Sequence, residues 1–242
     1  MTHEYTDEHQ EPFHNPLTKE ALEAVLGFRV LSWPGNYVSA FTHKSAVRFM
    51  NGGPCFEKLE FLGDAVLGFV IGKYLYDTYP TEKEGFLTQM RTKLVSGKAL
   101  ADIAHRMGLS KLIIMSPKAM RSGFNTNPRI LEDVLESLIG AVFLDAGMVA
   151  ARTFVLNIIH QHVDRRELMK NKNHKDTLMQ YCQARDQPLP TYDSFQEPHV
   201  PGFAVRASAC GVQGWGRGST KKEAEQYAAG HVLMQLGERV EF

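Results

Sequence analysis

Two stretches of this sequence carry acidic side chains at helical spacing inside otherwise apolar segments. In Phe56-Glu57-Lys58-Leu59-Glu60-Phe61-Leu62-Gly63-Asp64, the acids Glu57, Glu60 and Asp64 stand at i, i+3 and i+7, on one face of a helix. In the segment from Arg129 to Asp145, Asp133 and Glu136 share a face of a nearly all-apolar helix. Carboxylates stacked on one face repel one another, and burying them beside Leu and Phe costs more still. A hard divalent cation such as Mg2+ removes both penalties, because it prefers carboxylate oxygens. If the two helices pack together, their acids have the composition of a one- or two-magnesium phosphodiester-cleaving centre.

The elements that must position these acids are legible around them. A helix is expected from about Phe56 to Tyr79, bounded by Pro54 and Pro80, with Leu59, Leu62, Val66 and Phe69 on its apolar face. Gly63 leaves room for a second backbone. Upstream, Asn15-Pro16 is expected to start a short helix through Ala21, Val25 and Leu26, with Thr18 a second possible cap. A helical pattern from Glu84 to Met107 breaks near Ser96-Gly97, and Ser116 to Pro128 reads as a loop. Asn127-Pro128 caps the Asp133 helix, and a last helix runs from about Met148 to Leu168. No strand signal occurs in this half, so residues 16–168 are expected to form an all-α domain.

Composition narrows the field. The chain has 242 residues, enough for one mid-sized domain and one small one, and its hydrophobic fraction of 43% is that of a globular protein. Basic and acidic residues balance at 27 each, so any nucleic-acid binding must come from local patches. Cys55, Cys182 and Cys210 are scattered singly, which reads as reduced thiols in an intracellular, cytoplasmic protein. Residues 1–15 are polar and acidic and read as a disordered tail, neither a transit peptide nor a secretory signal. No apolar run is long enough to span a membrane, and no membrane partner is expected.

With these elements in place, the sequence resembles the ribonuclease III family. Phe56 to Asp64 is similar to the family signature Asn-Glu-Arg-Leu-Glu-Phe-Leu-Gly-Asp, with Phe56 and Lys58 as departures. Asp133 to Gly140 resembles the Asp-x-x-Glu-Ala-Leu-Ile-Gly helix, and Glu84 to Ser96 the Glu-Gly-x-Leu-Thr-x-x-Arg-x-x-Leu-Val segment. The resemblance implies that Glu60, Asp64, Asp133 and Glu136 hold the metal, with Asp64 and Glu136 at the catalytic step and Glu57 in support. It also places an acid such as Glu84 near the cleavage valley; its plainer reading is a first-turn glutamate favoured by the helix dipole. Tyr37 to Ser45 resembles the family's Leu-Thr-His-Arg-Ser helix. His43 within it is expected to be hydrogen-bonded inside the bundle, outside the site.

Past a polar linker at residues 169–175 the pattern changes to a small α+β domain, α-β-β-β-α, over 176–242. Asp176 to Ala184 reads as a helix with Leu178, Met179 and Cys182 inward. Short strands are expected at Pro190–Gln196, Phe203–Ala209 and Gln213–Gly218, and a final helix from Ser219 to Leu236. This order resembles the double-stranded RNA-binding domain, with Gly218-Ser219-Thr220-Lys221-Lys222-Glu223-Ala224-Glu225 matching its most characteristic motif. Thr220 and Glu223 form a capping box. Lys221 and Lys222 in the first turn oppose the helix dipole unless a phosphate meets both. By the same resemblance, His199 and Gln180 reach minor grooves, reading shape rather than sequence; Pro198 is adjacent to His199, where the family has one residue between them. Residues 171–242 hold as many acids as bases, so this domain alone should bind weakly.

The resemblance implies an endoribonuclease that cleaves double-stranded RNA with Mg2+, Mn2+ being an acceptable substitute. It further implies a homodimer through the catalytic domain that leaves short 3′ overhangs. Two alternatives stand beside it: a non-cleaving protein that sequesters duplex RNA, and a helical scaffold subunit. Neither explains why repelling acids are retained.

Overall fold

A computed structural model of the chain describes residues 13–164, 168, 173–195, 201–238 and 240. Residues 1–12 of the tail expected at 1–15, most of the 169–175 linker, and Pro198 and His199 fall outside them. Contacts divide the chain into two units, 1–168 and 169–242, each with its own core.

The first unit is a helical bundle. Its first helix, α1 (Lys19–Leu26), is capped by Thr18, whose Oγ1 accepts from Ala21 N at 3.1 Å. Asn15 closes only a local turn on Leu17 N, so Thr18 and not Asn15-Pro16 starts the helix. The segment expected as one helix over 37–45 instead ends α2 (Gly35–Phe41) at Thr42, which forms a parallel bridge with Ile114. A 3-10 turn over Lys44–Phe49 follows, capped by His43. Ile114 is bonded on both sides of Thr42, its N donating to Phe41 O at 2.8 Å and its carbonyl accepting from His43 N at 2.9 Å, and that pairing outcompetes helix continuation.

The central helices are α3 (Glu57–Thr78) and α7 (Pro128–His162), whose packing against each other dominates the unit. Between them lie α4 (Glu84–Leu94), α5 (Gly97–Arg106) and α6 (Pro117–Arg121), with a 3-10 turn at Phe124–Thr126. Ser96 caps α5, as the break there requires. Residues 116–128 are thus largely helical and not a loop: Ser116 caps Ala119 N, and Pro117 sits at the first helical position, where its missing N–H costs nothing. Asn127 caps α7 through Arg129 N at 2.9 Å, as expected.

Two features of the central helices depart from the sequence expectation. On α3 the buried face is Leu59, Gly63, Val66, Leu67, Val70, Ile71 and Leu75, while Phe69 is exposed together with Phe61 and Tyr76. Helix α7 absorbs both segments expected separately at 129–145 and from 148, broken internally at Gly147, whose φ of 77° only glycine adopts freely. By length and composition α7 could cross a membrane, contrary to the expectation of no such run, but its apolar residues from Leu131 to Ile159 are part of the helical core.

In the second unit, α8 (His174–Gln183) starts two residues earlier than expected, with His174 buried. Leu178 and Cys182 face inward, but Met179 is exposed, outside the face that the helix turns to the core. Strands β1 (Thr191–Phe195), β2 (Phe203–Ala209) and β3 (Val212–Gly218) form an antiparallel sheet in sequence order. Helix α9 (Lys221–Gln235) covers it, approaching so closely that a Cβ on Gly214 or Gly216 would overlap its backbone.

Candidate active site

The two acid-bearing helices meet where neither has a side chain. A Cβ on Gly63 of α3 would overlap the carbonyl oxygen of Glu136, and one on Gly140 of α7 would overlap that of Leu59. This backbone-on-backbone crossing sets Glu60 and Asp64, either side of Gly63, beside Asp133 and Glu136. The structure therefore brings together the four carboxylates singled out in the sequence.

Their electrostatics record the proximity. Glu136 is buried, and burial pushes its carboxyl up to about 8, with Asp64, Glu132, Glu60 and Asp133 adding repulsion in that order. Burial raises Glu60 as well, reinforced by Asp133, Glu57 and Glu132 and opposed by Arg129. Burial likewise raises Asp133, with Glu132 adding to it and the cations of Arg129 and Lys44 opposing it. Asp64 is exposed. Glu57 is exposed too and pairs with Lys44 at 3.7 Å, so it sits on the rim.

Among the described residues, no three His, Cys, Asp or Glu side chains already converge on a point where an ion would sit. The chemistry of the carboxylates nonetheless fits a hard divalent cation: all oxygen donors, one buried acid driven toward its neutral form, and few cations to offset them. Sequence reading missed three members of this neighbourhood. Glu132 adds a sixth acid, packed against Gly97 at the start of α5, and Lys44 and Arg129 supply the opposing charge. Glu132 was visible in the sequence at i, i+4 to Glu136, a spacing that puts the two on one face, but the acid pattern was read from Asp133 and Glu136 alone.

Glu84 is not part of the group. It begins α4, accepts from Thr88 Oγ1 at 2.9 Å, and perturbs none of the raised carboxyls. His43 is a satisfied structural histidine: its Nδ1 lies 2.8 Å from Ser45 Oγ, which itself accepts from Ser116 N, and its ring packs on buried Phe56. Burial holds its pKa below the ordinary histidine value.

In the second unit, Thr220 caps α9 through Glu223 N at 3.2 Å. The other half of the box is shifted by one residue, since Glu223 accepts from Ser219 N and Oγ (2.8 and 2.7 Å), not from Thr220 N. Lys221 and Lys222 are exposed on the rim of an open groove of about 790 Å³, shared with Asp176 and Met179 of α8. Helix α8 is tied to α9 by Lys175 N donating to Gln226 Oε1 and by the Lys175–Glu225 ion pair. Gln180 is exposed one turn along α8, donating to Asp176 at 2.9 Å. Its side chain and the lysine pair thus belong to two helices locked together.

Comparison with known proteins agrees with this division. Residues 37–163 match the family model described as ribonuclease-III-like, and residues 174–236 the double-stranded RNA binding motif. Protein A464R of Paramecium bursaria Chlorella virus 1 is 40% identical over 228 residues, 93% of this chain and 82% of its own. Ribonuclease 3 of Colwellia psychrerythraea is 36% identical over 90% of this chain and 82% of its own. The nuclease domain of ribonuclease III from Campylobacter jejuni, solved in a study of flexibility in its dimer-forming region, superposes with a TM-score of 0.56. It is 37% identical, and the match covers 60% of this chain and 99% of that domain.

Proposed function

The chain belongs to the ribonuclease III family and is a double-stranded-RNA endoribonuclease, and from that premise we propose that Glu60, Asp64, Asp133 and Glu136 hold Mg2+ for phosphodiester hydrolysis. Mn2+ fits the same oxygen donors. The observation that carries this reading is Glu136, a buried carboxyl pushed up to about 8 amid other acids. At neutral pH a cation beside such a group is what holds it as an anion.

When bound, the ion supplies hydroxide at neutral pH and stabilises the oxyanion that develops on the phosphate. The chain's own residues do the rest. Glu136 gives up its proton so that all four acids are anionic, and the Gly63–Gly140 crossing keeps their backbones fixed. Lys44 and Arg129 temper the negative field that would otherwise repel RNA. Glu57, held by Lys44, supports the rim. In the second unit, Lys221 and Lys222 meet phosphates across a groove, and Gln180 and His199 contact minor grooves.

The reading includes a homodimer. Phe61, Phe69 and Tyr76 are 81%, 61% and 69% exposed on one side of α3, an apolar stripe that a second copy would bury. Two copies provide one site per RNA strand, and cuts offset across the minor groove leave short 3′ overhangs.

The test is incubation of a long RNA duplex with the protein, with Mg2+ and with a chelator, followed by end mapping. Short duplexes with 3′ overhangs, formed only with the ion, are expected. Binding without cutting under both conditions would leave a sequestering protein instead.

A further inference from the structure

Cys182 and Cys210 lie 28 positions apart in sequence, yet their Sγ atoms are 3.7 Å apart at one end of the second unit. Cys182 is on the inner face of α8 and fully buried. Cys210 is half-buried and opens the β2–β3 turn, with Cys210 at φ 50° and Gly211 at φ 77°. Both turn residues are left-handed, as a tight two-residue hairpin demands, which fixes the position of Cys210 against the helix.

We propose that Cys182 and Cys210 are a disulfide-forming site, oxidised by small-molecule disulfides, which staples α8 to the β2–β3 turn. A sulfur–sulfur bond is about 2.05 Å, so the atoms have only a short distance to close by rotation of two side chains on elements already in contact. The two thiols also differ in access, as an ordered reaction requires. Cys210, the reachable one, attacks a sulfur of an oxidised small disulfide as its thiolate, forming a mixed disulfide and releasing one small thiol. Cys182 then loses its proton and attacks the Cys210 sulfur, expelling the second small thiol. In sum, two protein thiols are oxidised and one small disulfide is reduced to two thiols.

Burial pushes the Cys182 thiol up to about 11, so the second step is the slow one. The bond closes a loop containing β1 and β2, which stabilises the domain by restricting its unfolded chain. Because α8 carries Gln180, the staple also ties the helix with a proposed RNA contact to the β2–β3 turn.

The full chain is incubated with oxidised glutathione, then denatured, alkylated and mapped by mass spectrometry, with thermal melting in parallel. The expected result is a cross-linked pair of peptides containing Cys182 and Cys210, reversed by dithiothreitol. Melting of the second unit should rise by roughly 5 °C or more, a rise that Cys210→Ser abolishes. Glutathione retained on Cys210 with Cys182 still alkylatable, or both cysteines alkylated as before, would overturn the proposal.

Discussion

Glu136 sets the pH behaviour of the site. Its folded pKa of about 8 lies above the ordinary 4.5. Between those values the folded protein keeps a proton that the unfolded chain has lost. Its contribution to stability is therefore full below about 4.5 and is lost as pH rises through about 8. A bound cation favours the ionised form, so it must displace that proton. Adding Mg2+ at pH 7 should release roughly one proton per site, readable by calorimetry in buffers of different ionisation enthalpy. Above pH 9 the release should vanish. No proton release at pH 7 would mean that the ion does not displace a proton from Glu136.

At the scale of elements, the crossing of α3 and α7 is what turns scattered acids into a site. Gly63→Ala places a methyl group against the Glu136 carbonyl, and because that atom is backbone, a helix must shift. A loss of about 1–3 kcal/mol in denaturant unfolding is expected, with cleavage falling further than stability explains. Unchanged cleavage would mean that the crossing does not align the acids.

Much of this was legible beforehand. Helical spacing selected the acids on both helices, and Gly63 announced a close approach. The three strands were readable from alternation and turn residues to within two residues. What spacing could not show is which side of α3 meets solvent, since Phe61 and Phe69 are apolar yet exposed. The helical turns over 117–126 were hidden by Pro, Gly and Asn, which favour loops but also serve as caps. The Cys182–Cys210 approach depends on how α8 packs on the hairpin, which no local pattern encodes.

Taken whole, the molecule divides cutting and holding between two units. Lys221 and Lys222 are exposed and far in sequence from every acid of the site. Changing both to Ala should weaken duplex binding and reduce the slope of log K against log salt by roughly one to two units. Cleavage should decline at limiting RNA and recover at saturating RNA, and the preferred sequences should not change, because phosphate contacts carry no sequence information. An unchanged salt slope would assign these lysines to solvent.

The central claim is that one carboxylate centre, built where α3 crosses α7, performs the cut. Single-turnover cleavage of a long duplex by Glu136→Gln in Mg2+ tests it most directly, since the change removes a ligand charge and nearly preserves shape. Cleavage should be abolished while duplex binding, measured in the same solution, stays close to that of the unaltered chain. Cleavage at the unaltered rate would contradict the account.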